Sequence, residues 1–171
     1  MLNTFDPKSM FHTAENNRHA VDLLYRSMRD GSMHLSVPHT VLSALAIEIY
    51  LKCLIVIEDR KVLRPEHHLV ALHKRLSANL RHELDQEAIP LLILEQRLMN
   101  AFWERVAFGT RPPPHLTVKS ILTMGNKAFE KWRYVYEGKL ENGEGFLGGV
   151  LIKLFRDKIL AMRPDFAEPK V

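Results

Sequence analysis

The chain contains 171 residues, which is enough for one domain with a hydrophobic core and would cramp a second. Hydrophobic residues make up 46% and charged residues 26% of the chain, an ordinary composition for a soluble globular protein. The formal charge is +4, but the basic residues form no tract, so charge alone is a weak signal for nucleic acid binding.

Cysteine usage and the N-terminal sequence indicate the cellular compartment of the protein. Cys53 is the only cysteine, which excludes an internal disulfide, fits a reducing compartment and favours a small buried hydrophobe over a reactive thiol. Residues 1–10 lack the apolar stretch of a signal peptide. No uninterrupted apolar run approaches the roughly 18 residues of a membrane span. We therefore expect a cytoplasmic protein with no membrane association.

The first helix is predicted from its possible caps. Helical periodicity dominates the chain and strand-like alternation is scarce, so we expect an all-α protein. Residues 1–12 are interpreted as an N-terminal extension. Thr13 or Asn16 can cap a helix that stops at Asp30 and Gly31.

Prolines and a histidine mark the next three helix starts. Pro38 suits the first turn of a long second helix that runs to about Glu58. His68 precedes a short third helix and can cap it or line its start. The apolar residues of that helix are Leu69, Leu72 and Leu76. Pro90 is predicted to open the fourth helix.

The second half of the chain is divided by proline and glycine. Residues 109–114 include three consecutive prolines and form a connector that no helix can cross. Thr117 can cap a fifth helix that extends through Phe129 and Trp132. Residues 138–149 hold five of the eight glycines and are predicted to be a flexible loop before the last helix.

These elements predict a single antiparallel bundle of about six helices over residues 13–163, with a loose C-terminal tail at residues 164–171. The second and fourth helices are apolar nearly all round, and a bundle this small offers little cover, so we expect self-association as a two-fold homodimer. The apolar residues of the fourth helix on which this depends are Leu91, Leu92, Ile93, Leu94, Leu98 and Met99.

A charged pair lies inside the most apolar segment, residues 43–57. Glu48 and Lys52 are four residues apart, so they share a helix face, and the glutamate precedes the lysine, which is the favourable order for an ion pair. The pair is either a thin solvated stripe on a core helix or the polar lining of a cleft. In the cleft interpretation, His68 or Arg133 from another helix meets the pair.

Two further clusters contain residue types that are used in binding sites. His67, His68 and His73 lack the four-residue spacing of a helical metal site and have no nearby cysteine, so no metal and no cofactor are expected. Arg133 and Tyr134 follow two aromatic residues, an arrangement that suits either base stacking with phosphate contact or the edge of an aromatic core.

Three stretches together resemble the HEPN superfamily (higher eukaryotes and prokaryotes nucleotide-binding), specifically its bacterial members of unassigned function. They are residues 46–54 (AIEIYLKCL), residues 68–72 (HLxxL) and residues 129–137 (FxxWRYxYE). The resemblance implies an antiparallel helical bundle, frequent homodimers, and roles around RNA or nucleotides, often in toxin–antitoxin or phage-defence systems.

The resemblance also implies a possible ribonuclease motif. Catalytic members of the superfamily cleave RNA without a metal, using an arginine and a histidine with four to six residues between them. Arg29 and His34 fit this spacing but lie at the end of the first helix, whereas the family's motif opens a late helix. Arg60 with His67 and Arg75 with His82 also fit, while Arg111 and His115 are one residue too close. We therefore expect little ribonuclease activity.

We interpret the chain as a HEPN-like module that binds a nucleotide, RNA or a protein partner. The predicted cleft consists of Glu48, Lys52, His68 and Arg133, with Tyr134 and Glu137 at its edge. One alternative is a metal-independent endoribonuclease that uses a displaced arginine–histidine pair, Arg29 and His34. A second alternative is a plain protein-interaction subunit whose charged stripe faces solvent.

Overall fold

The computed structural model describes residues 5–59, 66–106, 115–127 and 148–167. Six α-helices account for most of them, with short 3-10 helices at Met33–Leu35 and Pro164–Phe166 and no strand in the described ranges. The helices are α1 (Pro7–Arg29), α2 (Ser36–Asp59), α3 (Leu69–Arg75), α4 (Ala78–Val106), α5 (Val118–Lys127) and α6 (Gly148–Met162). The all-α prediction is confirmed.

Several helix ends are formed by the residues that the sequence indicates. Gly31, with a φ of 104°, follows α1 and ends it. Pro38 lies in the first turn of α2. His68 caps α3 by accepting the backbone N–H of Ala71, and the Thr117 hydroxyl accepts the backbone N–H of Ser120 ahead of α5.

Helix α2 is the central element of the fold, since it packs against α1, α3 and α6. Its buried side chains include Ile47, Tyr50, Leu51 and Leu54, which point to several sides of the helix. The apolar surface of α2 is therefore covered largely by helices of its own chain, and it no longer argues for self-association.

The same composition bears on membrane association. Over Ser36–Glu58, α2 is long and apolar enough to cross a membrane by length and composition, although charged residues interrupt its apolar run. The interruptions include Glu48 and Lys52, but the mean hydropathy of the run remains high enough for a membrane span. Within the protein, 67% of its most apolar window is buried, as in a core helix.

Helix α4 carries several exposed apolar side chains. Leu91 and Leu92 are half-buried and pack against the core, whereas Ile93, Leu94 and Leu98 are 49%, 58% and 58% exposed. Exposed apolar residues that share one element are typical of a contact surface. The homodimer stays a prediction that rests on this helix.

Helix α1 begins earlier than predicted. The carboxylate of Asp6 accepts hydrogen bonds from two backbone N–H groups of the first turn, and Pro7 occupies the first helical position. Thr13 and Asn16 therefore lie inside the helix and cap nothing. Phe11, which is 2% exposed, draws this added turn onto the core, so much of the predicted extension is helix.

The prediction that Pro90 opens a helix was wrong. Pro90 lies inside α4, which begins after Ser77, whose hydroxyl accepts the backbone N–H of Leu80. The turns before Pro90 bury an apolar stripe of Leu80, Leu84 and Ala88, and this burial holds them in helix. Pro90 itself is exposed, as is Gln86, whose carbonyl loses its helical hydrogen bond and can bond to water instead.

The C-terminal end is more ordered than a loose tail. Pro164–Phe166 forms a 3-10 turn that buries the Phe166 ring completely, with its centroid 5.9 Å from that of Phe11. The guanidinium of Arg163 lies 4.2 Å from the Phe166 ring centroid. The predicted boundary after residue 163 is therefore wrong, because the hydrophobic core includes Phe166.

Other predictions fall partly or wholly outside the described residues. The connector at residues 109–114, the fifth helix beyond Lys127 and most of the glycine-rich loop are among them. At the end of that loop, Gly148 and Gly149 belong to α6, because the helix starts two residues earlier than predicted.

Candidate functional site

Glu48 is a buried carboxylate on α2 whose two oxygens differ in their contacts. The residue is 3% exposed. Its Oε1 accepts a hydrogen bond from Lys52 Nζ at 2.6 Å and lies 3.0 Å from Nδ1 of His67. Its Oε2 has no hydrogen-bond partner among the described residues. Because nearly all buried polar atoms in folded proteins are bonded, this oxygen requires an explanation.

The two partners of Glu48 differ in exposure. The Lys52 side chain is 17% exposed and that of His67 is 74% exposed, so His67 lies at the rim and Lys52 just beneath the surface. A carboxylate, an ammonium and an imidazole therefore converge at the surface between α2 and the segment that precedes α3. This arrangement can bind a ligand that carries both a hydrogen-bond donor and an anionic group.

Of the predicted cleft residues, Glu48 and Lys52 pair on one helix face, as expected. The polar side chain that joins them comes from the segment before α3 and not from another helix. That side chain is His67, whereas His68 caps α3 and is therefore committed to the helix backbone. Arg133, Tyr134 and Glu137 lie outside the described residues.

The candidate ribonuclease pair shows no assembled site. Arg29 is the last residue of α1, and His34 lies in the 3-10 helix that follows. Both residues are exposed. Within the described ranges, no hydrogen bond or ion pair joins them.

A second charged cluster lies on the opposite side of α2. Tyr50 follows Glu48 by two residues, which turns its side chain about 200° around the helix. Tyr50 is fully buried, and its hydroxyl donates a hydrogen bond to Glu15 of α1. The sequence analysis missed this cluster.

Glu15 also binds two arginines. Arg18, one turn further along α1, approaches the carboxylate through Nε at 3.1 Å and Nη2 at 3.3 Å. Arg156 of α6 contacts the two Glu15 oxygens through Nε at 3.0 and 3.1 Å. One carboxylate therefore connects α1, α2 and α6.

The electrostatics of Glu15 follow from these bonds. Burial acts to raise the pKa of Glu15, but the hydrogen bonds from Tyr50, Arg18 and Arg156 outweigh it and hold that pKa below its ordinary value. For Tyr50, burial and the bond to Glu15 raise the pKa, so the phenol keeps its proton and remains a donor. The cluster is therefore a stable ion-pair network at neutral pH.

A cavity of about 520 Å³ adjoins this network. From α1 it is lined by a polar stripe with helical spacing, which consists of His12, Glu15, Asn16 and His19. From α6 it is lined by Arg156 and Leu160. The stripe on α1 is visible in the sequence, but nothing local indicates that Arg156 faces it.

A larger and mainly apolar cavity, about 700 Å³, lies between α4 and the start of α5. Its lining includes Ile89, Ile93, Leu116 and Lys119. The backbone N–H of Leu116 donates to the Gln96 side chain at 2.9 Å, which connects the two elements. The apolar lining suits packing more than polar recognition.

Metal and thiol chemistry find no assembled site in the part of the chain that the structure describes. No group of three or more His, Cys, Asp or Glu side chains there is placed to hold a metal ion. Burial raises the pKa of Cys53 to about 12, and its Sγ donates to the Pro7 carbonyl at 3.2 Å. Cys53 is buried, as predicted.

Comparisons of the chain with models of protein families, with curated proteins and with solved structures found no match.

Proposed function

We propose that the protein is a ribonucleotide-binding module that takes a nucleotide or a segment of RNA at the cluster of Glu48, Lys52 and His67. The observation that carries the proposal is Oε2 of Glu48, a buried carboxylate oxygen that has no partner among the described residues and lies in the carboxylate that pairs with Lys52. Leaving such an atom unbonded costs free energy, and a bound ligand would supply the missing bond.

The chemistry of a ribonucleotide matches the three side chains. A carboxylate oxygen only accepts hydrogen bonds, and a ribonucleotide offers donors on its ribose hydroxyls and base amino groups. Lys52 uses one ammonium hydrogen on Glu48, so others remain for a phosphate oxygen. The exposed His67 ring can stack on a base or bond to it.

The resemblance to the HEPN superfamily supports the same function, because the matching residues 46–54 include both Glu48 and Lys52. A two-fold dimer through α4 belongs to this proposal, and its exposed residues Ile93, Leu94 and Leu98 support it. A dimer would present two such clusters to one RNA.

The test is binding of two probes, ATP and a fluorescein-labelled single-stranded RNA decamer, measured in chelator by calorimetry and fluorescence polarisation. We expect wild-type protein to bind at least one probe, and Lys52→Gln and Glu48→Gln to weaken that binding by about tenfold, the effect of losing one charged hydrogen bond. Lys153→Gln is the matched control, because Lys153 and Asp157 also form a four-residue pair but are exposed.

Three outcomes would contradict the proposal. The first is that neither probe binds the wild-type protein at millimolar concentration. The second is that Lys153→Gln weakens binding as much as Lys52→Gln. The third is cleavage of the decamer in chelator that disappears in His34→Ala, which would favour the ribonuclease alternative.

A further inference from the structure

The cavity between α1 and α6 has the features of an anion site, and none of them involves Glu48, Lys52 or His67. Both helices pack against α2, and the cavity lies where Glu15, Arg18 and Arg156 meet. Its volume of about 520 Å³ falls in the range of small-molecule sites. We propose that this cavity binds the phosphoryl group of a small molecule, with Arg18 and Arg156 as its principal ligands.

The two arginines are held in place with hydrogen-bonding capacity to spare. A guanidinium carries five N–H donors. Arg156 uses Nε on Glu15 and Nη1 on Asp157 at 3.5 Å, while Nη2 bonds to no described residue. Arg18 uses Nη1 on Asp22 and shares Nε and Nη2 with Glu15. Hydrogens therefore remain on both groups for the oxygens of a phosphate.

The charged residues that line the cavity, Glu15, Arg18 and Arg156, carry one net positive charge. Glu15 is a single carboxylate between two guanidinium groups, and it is already bonded to both and to Tyr50. The other acidic partners, Asp22 and Asp157, have side chains that are 49% and 48% exposed, so water screens them strongly. Their weak pairs with the arginines can yield to a dianion.

The rest of the lining suits an organic phosphate. Asn16 and His19 lie one turn apart on α1 and add polar groups on the cavity wall. Leu160 and Phe11 add apolar surface at the α6 and α1 sides. Arginine binds the oxygens of a phosphate through paired N–H donors in a planar, bidentate geometry. The cavity therefore combines a phosphate cradle with a partly apolar wall.

The arrangement also explains why one carboxylate binds two arginines. Glu15, held by the Tyr50 hydroxyl from below, fixes the Nε side of each guanidinium and so preorganises their terminal nitrogens. Glu15 and Tyr50 are positioning residues in this site. Arg18 and Arg156 make the contact with the ligand.

The experiment measures binding of three probes to the full chain by calorimetry: inorganic phosphate, adenosine 5′-monophosphate and adenosine. We expect the two phosphate-bearing probes to bind and adenosine to fail. Arg156→Gln should weaken phosphate binding by about tenfold or more, because it removes a charged donor pair. Arg26→Gln, an exposed arginine on α1 outside the cavity, carries the same charge change and should leave binding unaltered.

A second variant covers the case in which Arg156→Gln lowers stability. His19→Gln alters an exposed cavity residue that no described residue bonds, so the protein should keep its circular dichroism spectrum while phosphate binding weakens. Absence of saturable phosphate binding to the wild-type protein would overturn the inference. The inference would also be overturned if Lys52→Gln abolished phosphate binding and Arg156→Gln left it unchanged. That result would place the phosphate at the Glu48 cluster, and the proposed function would still stand.

Discussion

Glu15 and Glu48 are two carboxylates associated with α2, and their hydrogen bonding differs. Glu15 lies on α1 and bonds to Tyr50 of α2, whereas Glu48 belongs to α2 itself. Both Glu15 oxygens are bonded, and the side chain is 15% exposed. Glu48 is more deeply buried, with a 5% exposed side chain, yet its Oε2 lacks a partner among the described residues. Since burial normally demands more complete bonding, the difference separates a carboxylate that holds three helices together from one whose second oxygen is unused among the described residues.

The stability of the two clusters should differ accordingly. Removing the Glu15 carboxylate leaves two partly buried cations, Arg18 and Arg156, without a shared counter-charge. Loss of one partner from a buried ion pair lowers the free energy of unfolding strongly. Removing a carboxylate whose one cation can still reach water costs less. Mutations at the two sites measure this difference directly.

The largest effect is expected for Glu15→Gln. Because Arg18 and Arg156 lose their shared charge, we expect the free energy of unfolding to fall by about 2–3 kcal/mol. Urea denaturation with linear extrapolation measures it. Glu83→Gln is the control, since Glu83 pairs with Lys158 at 2.6 Å but is 55% exposed, and its loss should cost less than about 0.5 kcal/mol. Equal losses in the two variants would contradict this interpretation of Glu15.

The second largest effect is expected in how the contribution of Glu15 to the free energy of unfolding depends on pH. The folded pKa of Glu15 lies below the ordinary 4.5, so at acidic pH the unfolded state binds more protons than the folded state, and stability decreases as the pH is lowered. The stability difference between wild type and Glu15→Gln should be complete above pH 4.5 and shrink as the pH falls through the folded pKa.

Urea denaturation at a series of pH values tests this directly. Burial also lowers the pKa of His73, but that contribution is common to both proteins and cancels in the difference. A difference that stays constant down to about pH 3 would show that Glu15 gains no stabilisation from being ionised.

The smallest effect on stability is expected for Glu48→Gln. One oxygen of Glu48 has no partner in the described part of the chain, and Lys52 retains access to water, so the free energy of unfolding should change by no more than about 1 kcal/mol. The same urea experiment measures it beside Glu15→Gln. A loss as large as that of Glu15→Gln would mean that Glu48 serves the fold as fully as Glu15 does.

Much of the fold was predictable because the signals are local. The apolar periodicity of α2, Pro38 in its first turn, and the caps His68 and Thr117 each depend on residues within one or two turns. The pair of Glu48 and Lys52 belongs to this class, since helix geometry alone brings side chains four residues apart together. His68 was predicted in the cleft, but His67 makes the contact with Glu48. The choice between these adjacent histidines depends on which of them caps α3.

The errors in the fold arose where tertiary packing overrides local preference. Pro90 normally marks a helix start, but the buried stripe before it keeps α4 continuous. Phe166 follows a proline that normally ends the ordered chain, but its ring is wholly buried. In each case the burial of apolar surface against other elements outweighs the local signal.

The sequence by itself determined the all-α class, most helix ends and the ion pair on α2, because those depend on spacing along one helix. Only the tertiary structure decided that Glu15 joins Tyr50, 35 residues away, and Arg156, 141 residues away. Contacts at such separations depend on how α1 and α6 dock on α2, and side-chain packing sets that docking. The anion site proposed between α1 and α6 depends on this docking. In the Glu48 cluster, by contrast, Glu48 and Lys52 are brought together by a single turn of helix.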